Sequence, residues 1–139
     1  MAETFVMLKP EATKQKDSLW NAKARLDNAG LRVVETRRFQ PTREMAEIHY
    51  DQHRDREFFE AIVENLCSGD VIAMRVAGSD DVIEVVRDIV GDKDPAKATD
   101  GTLRCWFGID LTQNGVHAAD SLEAALRELE LWFGSLKAA

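Results

Sequence analysis

His117 and Glu128 are the residues whose types and spacing best fit nucleophilic chemistry. A histidine nucleophile needs a neutral ring with one nitrogen free to attack, while the other nitrogen donates to an acceptor that fixes the tautomer. The last predicted helix offers three carboxylates for that role, Glu123, Glu128 and Glu130, of which Glu128 follows His117 by eleven residues, about two turns into the helical pattern. The pair alone also fits a structural or surface histidine near a helix start, so other residues must decide.

Four cations, Lys9, Arg87, Lys93 and Arg104, stand at the ends of predicted elements or within a loop, where ligands often bind. If their side chains converge, they form an anion pocket; otherwise they are solvated surface charges. The sequence contains neither the Gly-x-x-x-x-Gly-Lys-Ser/Thr pattern of a P-loop nor the Gly-x-Gly-x-x-Gly pattern of a dinucleotide site. A bound phosphate would therefore be held by side chains.

His49 and His53 are four residues apart and could serve as metal ligands on one helix face. No third ligand follows at a suitable spacing, and the helix pattern ends near Tyr50. We therefore expect a structural or surface role for both histidines.

Composition limits the class of protein. The chain has 139 residues, of which 45% are hydrophobic, enough for one domain, over residues 1–139, with its own core. Its formal net charge of −7 argues against nucleic acids or anionic membranes as partners. Cys67 and Cys105 show no metal or disulfide spacing. Neither an export signal nor a run of about 18 apolar residues is present, so we expect a cytoplasmic location.

Apolar periodicity predicts alternating strands and helices. Residues 91–113 have no sustained period and are interpreted as a long ordered loop with one short helical turn, a type of loop that is often functional. For the last helix we expect Asp120 as N-cap, with Glu123 completing a capping box. The predicted strands are Thr4–Leu8, Leu31–Phe39, Val71–Val76 and Gly115–His117, and the predicted helices cover 18–29, 43–50, 55–66, 81–90 and 122–133.

This order of elements favours an α+β fold. It resembles a ferredoxin-like, split β-α-β arrangement, in which a four-stranded antiparallel sheet carries helices on one face. The long loop would lie beside this sheet and contribute to the ligand site. We found no internal repeat, low-complexity tract or linker in the sequence.

Several motifs occur in a specific order over essentially the whole chain. They are Thr4–Ala12, His49-Tyr50 followed by Arg56–Phe59, Ser68–Met74, Gly101–Arg104, and Asn114–Ser121 with Glu128 and Trp132-Phe133. Together they resemble the nucleoside diphosphate kinase family. Their joint order and separation is far more specific than any single motif.

The resemblance implies a ferredoxin-like core and a ping-pong reaction in which a histidine passes the γ-phosphate of a nucleoside triphosphate to a nucleoside diphosphate. By position, His117 is the phosphorylated nucleophile and Glu128 orients its ring. The implied cofactor is Mg²⁺, held mainly through the nucleotide phosphates and not by protein ligands. Phosphoryl transfer depends on positioning and charge stabilisation, for which cationic side chains with Mg²⁺ are suitable.

The resemblance also implies a nucleotide site. Tyr50 matches a position that helps to place the histidine and the γ-phosphate, and Phe58 matches one that stacks on the base, with Ile62 and Leu111 lining the same slot. Stacking accepts any base because each has a π-face. The positions that match nucleotide contacts are Lys9, Arg87, Lys93, Arg104 and Asn114.

The sequence departs from the family pattern near the chemistry. Ala118-Ala119 stands where a glycine and a serine are usual, Lys93 replaces a threonine, and Asp100 replaces a proline. Cys105-Trp106 replaces a small and acidic pair. An alternative function is therefore a catalytically weakened member that binds nucleotides or proteins. The family also implies a homo-oligomer, a dimer-based tetramer or hexamer, and the sequence does not select between them.

Overall fold

Strand β1, Ala2–Leu8, lies at the centre of the structure. The computed structural model describes residues 2–134; Met1 and residues 135–139 of the predicted domain lie outside this range. Five consecutive residues of β1, Thr4 to Leu8, are buried. Because successive side chains of a strand point to opposite faces, such a run requires cover on both faces of the sheet.

The sheet has four strands in the order β2-β3-β1-β4, and every neighbouring pair is antiparallel. The other strands are β2 (Arg32–Phe39), β3 (Val71–Gly78) and the short β4 (Val116–Ala118). In the β1–β4 pair, Met7 lies opposite His117. This topology confirms the predicted ferredoxin-like α+β fold.

Three helices pack on one face of the sheet. They are α2 (Ser18–Asn28), α5 (Val82–Val90) and α6 (Leu103–Phe107). The short α6 is the single helical turn predicted within the loop 91–113. The core on this face includes Val6, Leu8, Leu26, Ile72, Met74, Val86, Ile89 and Leu103.

Helices also cover the opposite face, which corrects the prediction of helices on one face only. Here lie α3 (Arg43–His49), α4 (Phe59–Leu66) and α7 (Leu122–Leu129), which continues into a wide π-helical turn, Glu130–Gly134. The reason is the second set of apolar side chains on the inner strands, which would otherwise face water. The core here includes Phe5, Met7, Val63, Leu66, Leu129, Trp132 and Phe133.

Several boundaries differ from the predictions. A short helix, α1 (Pro10–Thr13), follows β1 without a predicted counterpart, and Asp51–His53 form one 3-10 turn after α3. Helix α4 begins at Phe59, later than predicted, because residues 54–58 form turns. Of the helices in residues 2–134, none has the length and apolarity needed to cross a bilayer.

The N-cap of α7 is Ser121 and not Asp120, so the capping prediction was wrong. The Ser121 hydroxyl accepts a hydrogen bond from the backbone N–H of Ala124 at 3.1 Å. Ser121 has the extended backbone of an N-cap and immediately precedes the first helical residue. Asp120 lies one residue too early to take this position.

We expect Ser121→Ala to lower the free energy of unfolding by about 0.5–2 kcal/mol, because it removes this capping hydrogen bond. Asp120→Ala is the matched control and should change stability by less than about 0.5 kcal/mol. Urea denaturation of both variants measures the difference. Equal losses in the two variants would contradict the assignment of the cap.

Candidate active site

The centre of the site is a hydrogen bond between His117 and Glu128. The His117 Nε2 and Glu128 Oε1 atoms are 2.8 Å apart, and the side chains are 22% and 4% exposed. A carboxylate only accepts hydrogen bonds, so a neutral His117 carries its proton on Nε2. Nδ1 is then left with a free lone pair, as a nucleophile requires.

The sheet and the last helix place these two side chains. β4 pairs with the buried β1, which fixes the backbone of His117, and Glu128 comes from α7, which packs against β1. Arg127 Nη2 lies 3.6 Å from Glu128 Oε2 and adds a positive charge beside the buried carboxylate. Glu128 is thus held from two sides.

His49 lies directly beside His117, with ring centroids 4.4 Å apart and the rings nearly perpendicular. The Trp132 indole N–H donates to His49 Nδ1 at 3.0 Å, so the proton of a neutral His49 is on Nε2. Within the described part of the chain, that buried Nε2 has no hydrogen-bond partner. Burial lowers the pKa of His49 well below its usual value, and the nearby His117 and Arg127 lower it further.

His49, His117 and Glu128 are also potential metal ligands, because their ligand atoms all lie within 4.8 Å of one another. Two imidazoles and one carboxylate form a donor set typical of zinc. Magnesium prefers oxygen ligands and retains waters, and it usually binds through substrate phosphates with one or two carboxylates. This cluster therefore does not fit Mg²⁺, whereas a magnesium ion carried by nucleotide phosphates needs no such cluster.

Lys9 lies at the end of β1 with its ammonium group buried. Nζ donates to the carbonyl oxygen of Thr112 at 2.9 Å and to Oδ1 of Asn114 at 3.0 Å, and Oε2 of Glu11 is 3.8 Å away. Burial lowers the pKa of Lys9 to about 8, while the Glu11 carboxylate opposes this shift. Lys9 thus remains mainly cationic at neutral pH.

Arg104 on α6 is the second cation fixed by the backbone. Its guanidinium donates to the carbonyl oxygen of Val116 from Nε and Nη2, at 3.1 and 3.0 Å, and to that of Gly91 from Nη1 at 2.9 Å. Burial lowers its pKa to about 10, and Arg87 adds to this effect. Arg104 is therefore charged at neutral pH and rigidly oriented.

A cleft of about 540 Å³ opens beside these groups. It brings together nine of the predicted site residues: Lys9, Tyr50, Phe58, Ile62, Lys93, Arg104, Leu111, Asn114 and His117. Arg87 lines an adjoining cavity that also contains Lys93, Arg104 and His117. Glu128 does not line the cleft and lies behind His117 as its hydrogen-bond partner.

The lining of the cleft combines apolar and cationic side chains. Phe58, 46% exposed, and Leu111, 59% exposed, are apolar lining residues together with Ile62. Tyr50 is buried, and its ring contacts that of His49 with centroids 4.7 Å apart. Burial raises the pKa of Tyr50, so its hydroxyl stays protonated. This lining offers contacts both to a flat apolar group and to an anion.

Sequence reasoning missed several residues at this site. His53 lines the cleft, and its ring is 5.4 Å from that of Phe58, although a structural or surface role was predicted for it. Thr112 also lines the cleft, and His49 and Glu11 lie behind it. The sequence signal for His49 was its position next to Tyr50, but helix spacing alone could not show that it faces inward.

The structure shows the contacts of two residues that depart from the family pattern, Ala119 and Asp100. Ala119 is 1% exposed, and its N–H donates to the carbonyl oxygen of Phe5 at 3.1 Å. Asp100 precedes α6, and its Oδ1 atom lies 3.7 Å from the Sγ atom of Cys105 in that helix. Neither substitution disturbs the hydrogen bond between His117 and Glu128.

The fold and the site define a ferredoxin-like protein with an oriented histidine in a cationic cleft. The family model for nucleoside diphosphate kinase matches residues 2–138. A nucleoside diphosphate kinase of Archaeoglobus fulgidus is 44% identical over 96% of this chain and 87% of its own length. One from Saccharolobus islandicus is 38% identical over 96% of this chain and 95% of its own length.

Solved structures agree with these relatives. The nucleoside diphosphate kinase of Encephalitozoon cuniculi has a TM-score of 0.90 at 34% identity and covers 96% of this chain and 90% of that one. That of Aquifex aeolicus has a TM-score of 0.89 at 34% identity and covers 96% of both chains. The chain belongs to the nucleoside diphosphate kinase family, a family of nucleotide-binding phosphotransferases.

The buried, neutral His49 predicts a specific dependence of stability on pH. Below about pH 6.5, the usual histidine value, the unfolded chain binds a proton that folded His49 does not. The free energy of unfolding should therefore fall with decreasing pH, by up to about 1.4 kcal/mol per pH unit from this residue. Above that pH the residue contributes no pH dependence.

Urea denaturation at pH 7 and pH 5 measures this effect. His49→Gln retains an acceptor for Trp132 and should reduce the loss of stability between the two pH values. His53→Gln, at a half-buried position, should change the loss much less. A loss as large in His49→Gln as in the unsubstituted protein would contradict the assignment of a neutral His49.

Proposed function

We propose that the protein transfers the γ-phosphate of a nucleoside triphosphate to a nucleoside diphosphate through a phosphohistidine at His117. The observation that carries this proposal is the His117–Glu128 hydrogen bond of 2.8 Å at the wall of a cleft that also contains Lys9 and Arg104. Nδ1 is the attacking atom, because Nε2 is engaged with Glu128. The family membership supports the same reaction.

In the first half-reaction, the Nδ1 lone pair forms a bond to the γ-phosphorus. The bond from that phosphorus to the bridging oxygen breaks, and the electron pair leaves with the nucleoside diphosphate. Glu128 stabilises the positive charge that develops on the imidazole ring. Lys9 and Arg104 stabilise negative charge on the transferring oxygens, because both are held in place before the substrate arrives.

In the second half-reaction, a terminal phosphate oxygen of another nucleoside diphosphate attacks the phosphorus and the N–P bond breaks. The donor product and the acceptor use the same cleft in turn, which makes the kinetics ping-pong. We assign Phe58 to base stacking, with Ile62 and Leu111 beside it. Arg87, Lys93 and Asn114 are assigned to the phosphate and sugar end, and Tyr50 to placing His117.

We assign Mg²⁺ as the cofactor, bound through the nucleotide phosphates. The cleft fits this assignment, because the charged side chains that line it, Lys9, Lys93 and Arg104, are cations that can bind phosphate oxygens. When bound, Mg²⁺ neutralises charge on the phosphate groups. Lys9, Arg104 and His117 would contact the phosphate groups of the nucleotide that carries the metal.

The remaining features stay predictions. We propose that residues 1–139 act as one domain, which is supported by the family match over residues 2–138. The dimer-based tetramer or hexamer and the cytoplasmic location follow from the resemblance and composition alone. A catalytically weakened binding module has no support from the relatives or from the described site, in which the predicted catalytic side chains lie together.

Labelling with γ-³²P ATP tests the proposed nucleophile. We expect an acid-labile label on the protein that leaves when a second nucleoside diphosphate is added. His117→Ala should abolish the label, because it removes the attacking nitrogen. Glu128→Gln should slow label formation by about 10- to 100-fold, if its effect is like that of the carboxylates that orient metal-binding histidines.

His53→Ala serves as the histidine control, because His53 lines the same cleft. It should still form the acid-labile label. A label that persists in His117→Ala, or one that is lost only in His53→Ala, would overturn the assignment of His117.

Phe58→Ala tests the proposed base slot. Stacking of one base contributes about 1–3 kcal/mol, and Phe58 is half-exposed, so we expect KM for nucleoside diphosphates to rise about 5- to 30-fold. The increase should be similar for purines and pyrimidines, because stacking does not read the base edge. Trp20→Ala, at a 76% exposed position on α2, is the aromatic control and should leave KM unchanged.

A further inference from the structure

Glu11 is a buried carboxylate to which the reaction described above assigns no role. It lies in α1, two residues after Lys9, and its side chain is 2% exposed. Burial of a carboxylate is costly unless it is paired and hydrogen-bonded. The contacts of Glu11 therefore identify the groups that are held together with it.

Three groups surround the Glu11 carboxylate. The backbone N–H of Gly115 donates to Oε2 at 2.7 Å, and the Asn65 amide donates to Oε1 at 3.2 Å. Lys9 Nζ lies 3.8 Å from Oε2. The same carboxylate thus contacts the buried ammonium, helix α4, and the backbone two residues before His117.

The neighbouring contacts close this network. The Asn65 amide also donates to the carbonyl oxygen of Thr112 at 3.3 Å, the oxygen that accepts from Lys9. The backbone N–H of Lys9 donates to the carbonyl oxygen of Gly115 at 2.9 Å. Residues 112–115 are therefore hydrogen-bonded to three elements: to Lys9 directly after β1, to Glu11 in α1 and to Asn65 in α4.

We propose that Glu11 is a positioning residue for phosphotransfer, which keeps Lys9 cationic and fixes both Lys9 and the chain that leads into His117. This inference rests on the proposed phosphotransfer. Lys9 lines the cleft, whereas Glu11 does not. Its effect acts through the charge and place of Lys9.

The charge of Lys9 provides the test. Burial lowers its pKa to about 8, and Glu11 is the strongest group that raises it, ahead of Asp110, while Arg104 lowers it. The other titratable groups in the same cleft are Tyr50, His53, Lys93 and His117. Loss of the Glu11 charge should therefore shift the Lys9 titration to lower pH, by about 1–3 units for a pair at this distance.

The experiment compares Glu11→Gln with the unsubstituted protein by two readouts. The first is the NMR titration of the Lys9 side chain in ¹³C,¹⁵N-lysine-labelled protein, with Lys9→Arg to assign the signal. The second is the pH profile of kcat/KM, whose basic limb should move to lower pH with the Lys9 titration. Glu11→Asp keeps the charge, so its Lys9 titration should lie close to that of the unsubstituted protein.

Glu64→Gln is the matched control, because it removes the same charge from an exposed position on α4. It should leave both readouts unchanged. Unchanged Lys9 titration and an unchanged basic limb in folded Glu11→Gln would overturn the proposal. The NMR titration needs no turnover, so absence of phosphotransfer in the unsubstituted protein would count against the proposed function and not against this pairing.

If Glu11→Gln does not fold, a double variant identifies the cause. In the double variant Lys9→Met/Glu11→Gln neither substitution leaves an uncompensated buried charge. If the double variant folds where Glu11→Gln does not, the unpaired Lys9 charge causes the failure, which supports the proposal. If both variants fail to fold, Glu11 acts only as an acceptor for Gly115 and Asn65, and the proposal is overturned.

Discussion

Burial of β1 on both faces is the constraint on which the rest of the structure depends. Val6 and Leu8 point into one core, and Phe5 and Met7 point into the other. Each face must be covered by helices to remove this apolar surface from water. The helices that provide the cover, α6 on one side and α7 on the other, also carry Arg104 and Glu128.

The site therefore forms where the exit of β1 meets β4. Lys9 directly follows β1, and His117 lies in the antiparallel neighbour of that strand. One ladder of hydrogen bonds thus fixes two residues of the cleft that are more than a hundred residues apart. The charge of Lys9 is costly because its side chain is buried. Carboxylates, carbonyl oxygens and amides offset this cost, and an acidic protein can thus maintain a rigid cationic cleft.

Sequence patterns predicted the features that depend on periodicity or on several motifs together. The strands and most helices belong to this group because apolar spacing is local, and the residues of the cleft belong to it because the motifs that contain them occur in a specific order along the chain. Features that depend on contacts between distant segments were missed. Glu11 looks like a surface residue after Lys9-Pro10, and only the fold brings Gly115 and Asn65 to it. The Ser121 cap was missed for a different reason, since one residue decides which hydroxyl or carboxylate reaches the first N–H groups.

Phe58, which lines the cleft, is half-exposed. This exposure bears on how much phosphate is lost to water. In the proposed mechanism, one slot must release a spent nucleotide before it admits the next, and the His117 side chain is itself 22% exposed. In the phosphorylated intermediate that we propose, the imidazole of His117 faces bulk water during that interval. The fraction of phosphate that reaches a nucleotide then depends on the rate of hydrolysis relative to the rate at which an acceptor binds. Transfer efficiency in this architecture thus depends on the acceptor concentration around the protein as well as on the groups that hold the histidine.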